Sequence, residues 1–95
     1  MALLNDIKVL LRISNSPYDS EISDLIAACR KDLLIAGVLS TKTVDDTDPL
    51  IKRAVSIYVK AHFGWDNPDK EGLLQSYNSL KSHLSQSSEY IGTVV

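Results

Sequence analysis

Between Ser16 and Gly37 the chain places Ile22, Leu25, Ile26, Cys29, Leu33 and Ala36 at intervals of three and four. That spacing stacks side chains on one face of an α-helix and predicts a long amphipathic helix over 17–36. Ser16 is placed to accept a hydrogen bond from an amide of the first turn. Pro17 suits the first helical position because its missing N–H would be unpaired there anyway, and Asp19 lies near the positive end of the helix dipole. Gly37 supplies the stop, since a left-handed residue after the last turn costs glycine little. About 20 residues at about 1.5 Å each make a rod of about 30 Å, as long as a small domain is wide.

Three shorter segments carry the same period. Leu3, Leu4, Ile7, Leu10 and Leu11 mark one face of a helix over 3–13, with Asn5, Asp6 and Lys8 opposite and Asn15, Ser16 and Pro17 breaking the pattern. A third helix over 48–63 opens on Asp48 as cap, or on Thr47 if the boundary slips by one, with Pro49 in the first turn, and ends at Gly64. It is apolar on two sides: Leu50, Ala54, Ile57, Tyr58 and Ala61 on one, Ile51, Val55, Val59 and Phe63 on the other. A helix of that kind sits between layers of its own fold or between one subunit and the next. Asn67 and Pro68 repeat the cap-and-proline signal for a fourth helix over 68–84, with a stripe of Leu73, Tyr77, Leu80 and Leu84 widened by Leu74. Gly72 weakens its first turns by about 1 kcal/mol relative to alanine. The stretch 38–47, with Ser40, Thr41, Thr43, Asp45, Asp46 and Thr47, reads as a polar loop or arm. From Ser85 the chain is serine-rich, then closes on Tyr90, Ile91, Gly92, Thr93, Val94 and Val95, an extended ending that orders on assembly or stays frayed.

These patterns define an all-α fold: a small bundle of about four helices over 1–84, with 85–95 as a C-terminal tail. At 95 residues and 44% hydrophobic content the chain has the size of one small domain with a real core. The net charge of −2 supplies no overall basic field, which argues against unspecific attraction to DNA or to an anionic membrane. The one cysteine, Cys29, lies on the apolar face of the long helix and reads as a small buried hydrophobe rather than a reactive thiol. No apolar run approaches the roughly 18 residues of a membrane span, and a soluble protein made in a reducing cytosol is expected.

Candidate chemistry adds little. His62 and His83 have no second cysteine or HExxH-like spacing beside them, so no metal site is expected. Asp45, Asp46 and Asp48 lack the glycine and alternating oxygen ligands of a calcium loop and read as a solvated acidic loop with a helix cap. There is no glycine-rich phosphate loop, and nothing aligns a serine, histidine and aspartate as nucleophile and base. No cofactor and no enzymatic activity are expected. Tyr58, Phe63, Trp65 and Tyr77 default to core packing, with Trp65 also able to anchor a partner. Lys52, Arg53 and Lys60 form a solvated basic side of the third helix or meet acidic residues of a neighbouring copy.

One resemblance spans most of the chain. LLNDIKVLLRI, then DSEISDLIAACRKDLLIAGV, then DPLIKRAVSIYVKAHFG, then YNSLKSHL resemble, in order and spacing over roughly Leu3 to Leu84, the small head-tail connector proteins of siphophages and prophages, also called head-completion or adaptor proteins. The most specific parts are Leu11, Arg12 and Ile13, the Leu25 to Ala28 segment with its double alanine, and Tyr58, Val59, Lys60, Ala61, Phe63 and Gly64. Cys29 departs from the small or polar residues usual there, and the ending has no dependable match.

The resemblance implies a structural, non-enzymatic virion protein of the head-tail neck, present in the host cytoplasm during assembly. It implies a homo-oligomeric ring of about a dozen copies beneath the portal protein. Such a ring extends the DNA channel without sequence-specific binding, away from any membrane, and offers a platform to a neck or tail completion protein. Residues expected at the subunit interface are Ile51, Lys52, Val55 and Val59 of the third helix, Asp45 and Asp46 of the loop, Trp65, and Tyr90 and Ile91 of the tail. Two other readings fit the helical content: a small DNA-binding regulator and a cytosolic partner-binding module. The first requires a short turn before a polar recognition helix. Here the connection over 38–47 is long and the helix after it apolar.

Overall fold

The computed structural model describes residues 2–14, 16–63 and 67–92, with the backbone alone at Ala2. Among the described residues six helices follow one another: α1 (Ala2–Leu11), α2 (Asp19–Ile35), α3 (Ser40–Thr43), α4 (Pro49–His62), α5 (Lys70–Ser85) and α6 (Ser88–Ile91). No strand occurs among the described residues, so the fold is all-α. The four expected helices are all present. Two single-turn helices, α3 and α6, lie within the expected loop and tail.

Helix α4 is the centre of the bundle and packs against α5, α2 and α1. Both of its apolar sides are used inside the subunit: Ile51, Ala54, Val55 and Val59 are fully buried and Ala61 nearly so. Against them lie Leu3 and Ile7 of α1, Ile22, Ile26, Cys29 and Leu33 of α2, and Tyr77 and Leu84 of α5. Each large aliphatic side chain removed from water here contributes about 1.5–3 kcal/mol. The fold measures 47 × 28 × 18 Å along its principal axes. The shortest dimension has room for two layers of helix at about 8–10 Å between axes, so an outer helix face remains on each broad side of the slab.

The helix ends show where local backbone bonding departs from the sequence pattern. Helix α1 stops at Leu11 because Arg12 turns left-handed, at φ 60°. The Arg12 amide then donates to the Val9 carbonyl and the Ile13 amide to the Lys8 carbonyl, which closes a Schellman motif. Gly37, at φ 108°, does the same for α2, with Val38 N–H bonded to the Leu33 carbonyl at 3.0 Å.

Helix α2 begins two residues later than expected, and the Ser16 side chain does not cap it. The Ser16 carbonyl instead accepts the Asp19 amide in a turn, and the first helical bond runs from Ile22 N–H to the Tyr18 carbonyl. That turn sets the Tyr18 ring edge-on to Phe63, 5.5 Å between centroids. Helix α5 likewise starts at Lys70. Asn67 caps no helix; its side chain donates to the Lys60 carbonyl at 2.8 Å and accepts the Asp69 amide at 3.1 Å, tying the end of α4 to the start of α5.

Asp48 meets its expectation as the cap of α4, with Oδ1 accepting from the amides of Leu50 at 2.9 Å and Ile51 at 3.3 Å. Gly92, at φ 66°, ends α6 so close to Leu39 that an added Cβ would lie 2.9 Å from its Cδ1. Glycine adopts that left-handed conformation without strain, and a larger residue would press on the Leu39 side chain.

Among the described residues, the left-handed Arg12 is the one position where an L side chain with a Cβ holds a conformation that glycine adopts without strain. Arg12→Gly is expected to raise stability by about 0.5–1 kcal/mol, after the larger chain entropy of glycine has offset part of the relief. Urea unfolding of the two proteins followed by circular dichroism checks this; a lower midpoint for the variant would contradict it.

Candidate functional site

Because α4 buries the side carrying Ile51, Ala54, Val55 and Val59, its opposite side carries Lys52, Arg53, Ser56, Ile57 and Lys60. This strip forms the floor of a groove of about 680 Å³, walled by Asp6, Val9 and Leu10 of α1 and closed near α5 by Leu73. The floor and walls are apolar at Val9, Leu10, Pro49, Ile57 and Leu73. Val9 is 78% exposed and Leu10 44%, large values for apolar side chains. Lys52 is held across the α1–α4 seam by Asp6 at 2.7 Å. Among the described residues, Arg53 and Lys60 have no carboxylate at ion-pair distance. The arrangement can receive an apolar partner surface that carries carboxylates.

A second polar centre joins the ends of the molecule. The Asp48 carboxylate, besides capping α4, accepts the Tyr90 hydroxyl at 3.0 Å and lies 3.5 Å from Lys42 Nζ. Burial pushes this carboxyl up, but the bonds from Tyr90, the Ile51 and Leu50 amides and Lys42 outweigh it and hold the group below its ordinary value. Burial and the adjoining Asp48 carboxylate push the Tyr90 hydroxyl up to about 12. The Leu39 amide donates to the Tyr90 carbonyl at 2.8 Å, so α6 is fastened to both ends of α3 and to the start of α4.

A third centre lies between α2 and α5. The Tyr77 hydroxyl donates to Asp32 Oδ2 at 2.6 Å and Lys81 Nζ reaches the same oxygen at 3.0 Å. Burial raises the Asp32 carboxyl, but these two donors more than compensate and it sits below its ordinary value. Cys29 Sγ lies 3.7 Å from the Tyr77 hydroxyl, and burial pushes the thiol up to about 12. A thiol so disfavoured as an anion packs as a hydrophobe and is a poor nucleophile. Burial, with Lys70 nearby, also lowers the His62 pKa. Among the described residues, no group of three or more histidine, cysteine, aspartate or glutamate side chains could hold a metal ion.

The residues expected at a subunit interface are divided by the fold. Ile51, Val55 and Val59 are fully buried and Tyr90 is 6% exposed, all within the subunit's own core. The two apolar sides of α4 are covered by α1, α2 and α5 of the same chain. Lys52 lies on the groove. Asp45 is on the surface, bonded to the Thr47 amide at 3.0 Å, and Asp46 pairs with Arg30 of α2. Ile91 is half-buried at the end of α6, and Trp65 lies outside the described residues.

A family model described as phage connector protein matches residues 3–91 of this chain. The chain belongs to the phage connector protein family. No curated protein and no solved structure matches it. The match runs from the first turn of α1 to the last residue of α6, so it takes in every helix of the connector.

The groove residues that sequence reasoning left out of the interface were partly visible. Val9 adds an apolar position off the main stripe of α1, and Arg53 and Lys60, seven residues apart, share one side of α4.

Asp32 and Asp48 both titrate below the ordinary aspartate value of 3.8 when folded, so the unfolded chain takes up protons first on acidification. Their contribution to stability is complete above the unfolded value and is lost as pH falls through the folded ones. Urea midpoints measured from about pH 6 to pH 2 should fall in that window, and less steeply for Tyr77→Phe with Tyr90→Phe, which removes a donor from each carboxylate. In thiol labelling of the native protein, Cys29 should react only as fast as the fold opens; labelling at the rate of a free thiol peptide would contradict its burial.

Proposed function

We propose that this chain is a structural, non-enzymatic subunit of the phage head-tail connector. Copies assemble into a ring of about a dozen beneath the portal protein. The ring extends the DNA channel and gives the next neck or tail protein a platform on which to dock. The observation that carries this reading is the family match over residues 3–91, the whole of the described helical fold.

Other features support it. A net charge of −2 suits a conduit through which DNA slides, because a basic lumen would grip phosphates and release counterions at each contact. No described helix is long and apolar enough to cross a membrane, in keeping with a protein that joins the virion in the host cytoplasm. The exposed apolar groove beside α4 and the surface residues Asp45, Asp46, Lys52 and Ile91 give a ring neighbour or a docking protein places to bind.

Electron microscopy of the purified protein, alone and mixed with portal-bearing capsids of the same phage, tests this function. Rings in solution or added density at the portal vertex are expected. A protein that stays monomeric at every concentration and never joins such capsids overturns the reading.

A further inference from the structure

Helix α6, beside the start of α4, is held differently from the rest of the fold. Tyr90 is its one buried residue; Ser88 and Glu89 are exposed and Ile91 is half-buried. We propose that α6 is a strap that opens and closes as a unit while the rest of the subunit stays folded, with Tyr90 as its latch. The device goes beyond the connector reading and does not rest on it.

The holds on the strap converge on that residue. The Tyr90 hydroxyl donates to Asp48 Oδ1 at 3.0 Å, its carbonyl accepts the Leu39 amide at 2.8 Å, and Lys42 Nζ lies 5.2 Å from the centre of its ring. Lys42 also lies 3.8 Å from Glu89, but the Glu89 side chain is 67% exposed, where an ion pair holds little. Among the described residues, the Leu39 bond is the one backbone bond that ties α6 to a part of the chain other than the end of α5. A helix of a single turn has no stability of its own, so α6 persists only while the latch is shut.

The core does not depend on the strap. The cover of α4 comes from α1, α2 and α5, which stay in place when α6 lifts. Asp48 keeps the amides of Leu50 and Ile51 and the ammonium of Lys42 when the Tyr90 hydroxyl leaves, so the α4 cap survives opening. The stop of α2 survives too, because the Val38 amide is bonded to the Leu33 carbonyl and not to the strap. What opening loosens is the start of α3, where the Leu39 amide and the Lys42 side chain lose their partners in α6. The subunit thus has two forms around one core: closed, with α3 pinned by the strap, and open, with α3 loosened and the Tyr90 socket uncovered.

Amide hydrogen exchange followed residue by residue at low urea concentrations tests this. Leu39 and Val38 are neighbours, yet only Leu39 donates to the strap. Corrected for intrinsic rates, the Leu39 amide is expected to exchange about tenfold or more faster than the amides of Val38 and of Val55 and Val59 in α4. Its rate should hardly change in low urea, because opening the strap exposes little surface, whereas the α4 amides wait for global unfolding and should speed up steeply. Tyr90→Phe keeps the ring and removes the hydroxyl bonded to a carboxylate, and its Leu39 amide should exchange about tenfold faster still.

If Leu39 exchange rises with urea as steeply as that of Val55 and Val59, the strap leaves only with the whole fold and the proposal is overturned. Val38 exchanging in step with Leu39 overturns it as well, since the chain between α2 and α3 would then be what moves. A Leu39 rate unchanged by Tyr90→Phe overturns the assignment of the latch to that hydroxyl. The wild-type profile decides the opening even if the variant fails to fold.

Discussion

The burial of α4 on three sides is the constraint on which the rest of the connector depends. A helix with Ile51, Val55 and Val59 on one side and Ala54 and Ala61 on another has to be covered by more than one neighbour. In this chain α2, α5 and α1 supply that cover. Once they do, one strip of α4 is left for the outside, and the residues on it are Lys52, Arg53, Ser56, Ile57 and Lys60. The groove is what remains when the core has taken everything else.

The small elements follow from the same requirement at the ends of the bundle. The start of α4 needs a cap, and Asp48 provides it while partly desolvated. A carboxylate in that position is tolerable only when its remaining lone pairs are satisfied, and Tyr90 and Lys42 do this. Tyr90 in turn requires α6 to lie beside α3, which the Leu39 to Tyr90 backbone bond and the close approach of Gly92 to Leu39 permit. One helix cap thereby joins residues 42 positions apart in sequence and anchors a segment whose composition alone reads as a tail.

This division of labour leaves two contrasting surfaces. The interior is closed by complementary apolar faces and by carboxylates satisfied from two donors at Asp32 and four at Asp48. What it leaves exposed is an apolar groove with cations on one broad side and an apolar-tipped, acid-ended helix face on the other. A slab two helices thick presents both without conflict, since neither face is needed to hold the fold together.

Fold class, the four main helices and the strongest stops are legible in the order of residues alone. Hydrophobic period, proline at the start of α4, glycine at the end of α2 and the Asp48 cap act over a few residues and do not depend on what packs outside. The sequence also carried the order of segments by which the connector family is recognised. Which apolar residues lie inside depends on how the helices dock. A two-sided apolar helix reads the same whether its second side meets α5 of its own chain or a neighbouring subunit, and here Ile51, Val55, Val59 and Tyr90 all turn inward. Ser16 and Asn67 carry a cap pattern yet start no helix, because their polar groups bond to a turn and to the Lys60 carbonyl instead of capping. The groove could not be read at all from the period of one helix, because its walls come from α1 and α5 and exist only once both have docked on α4.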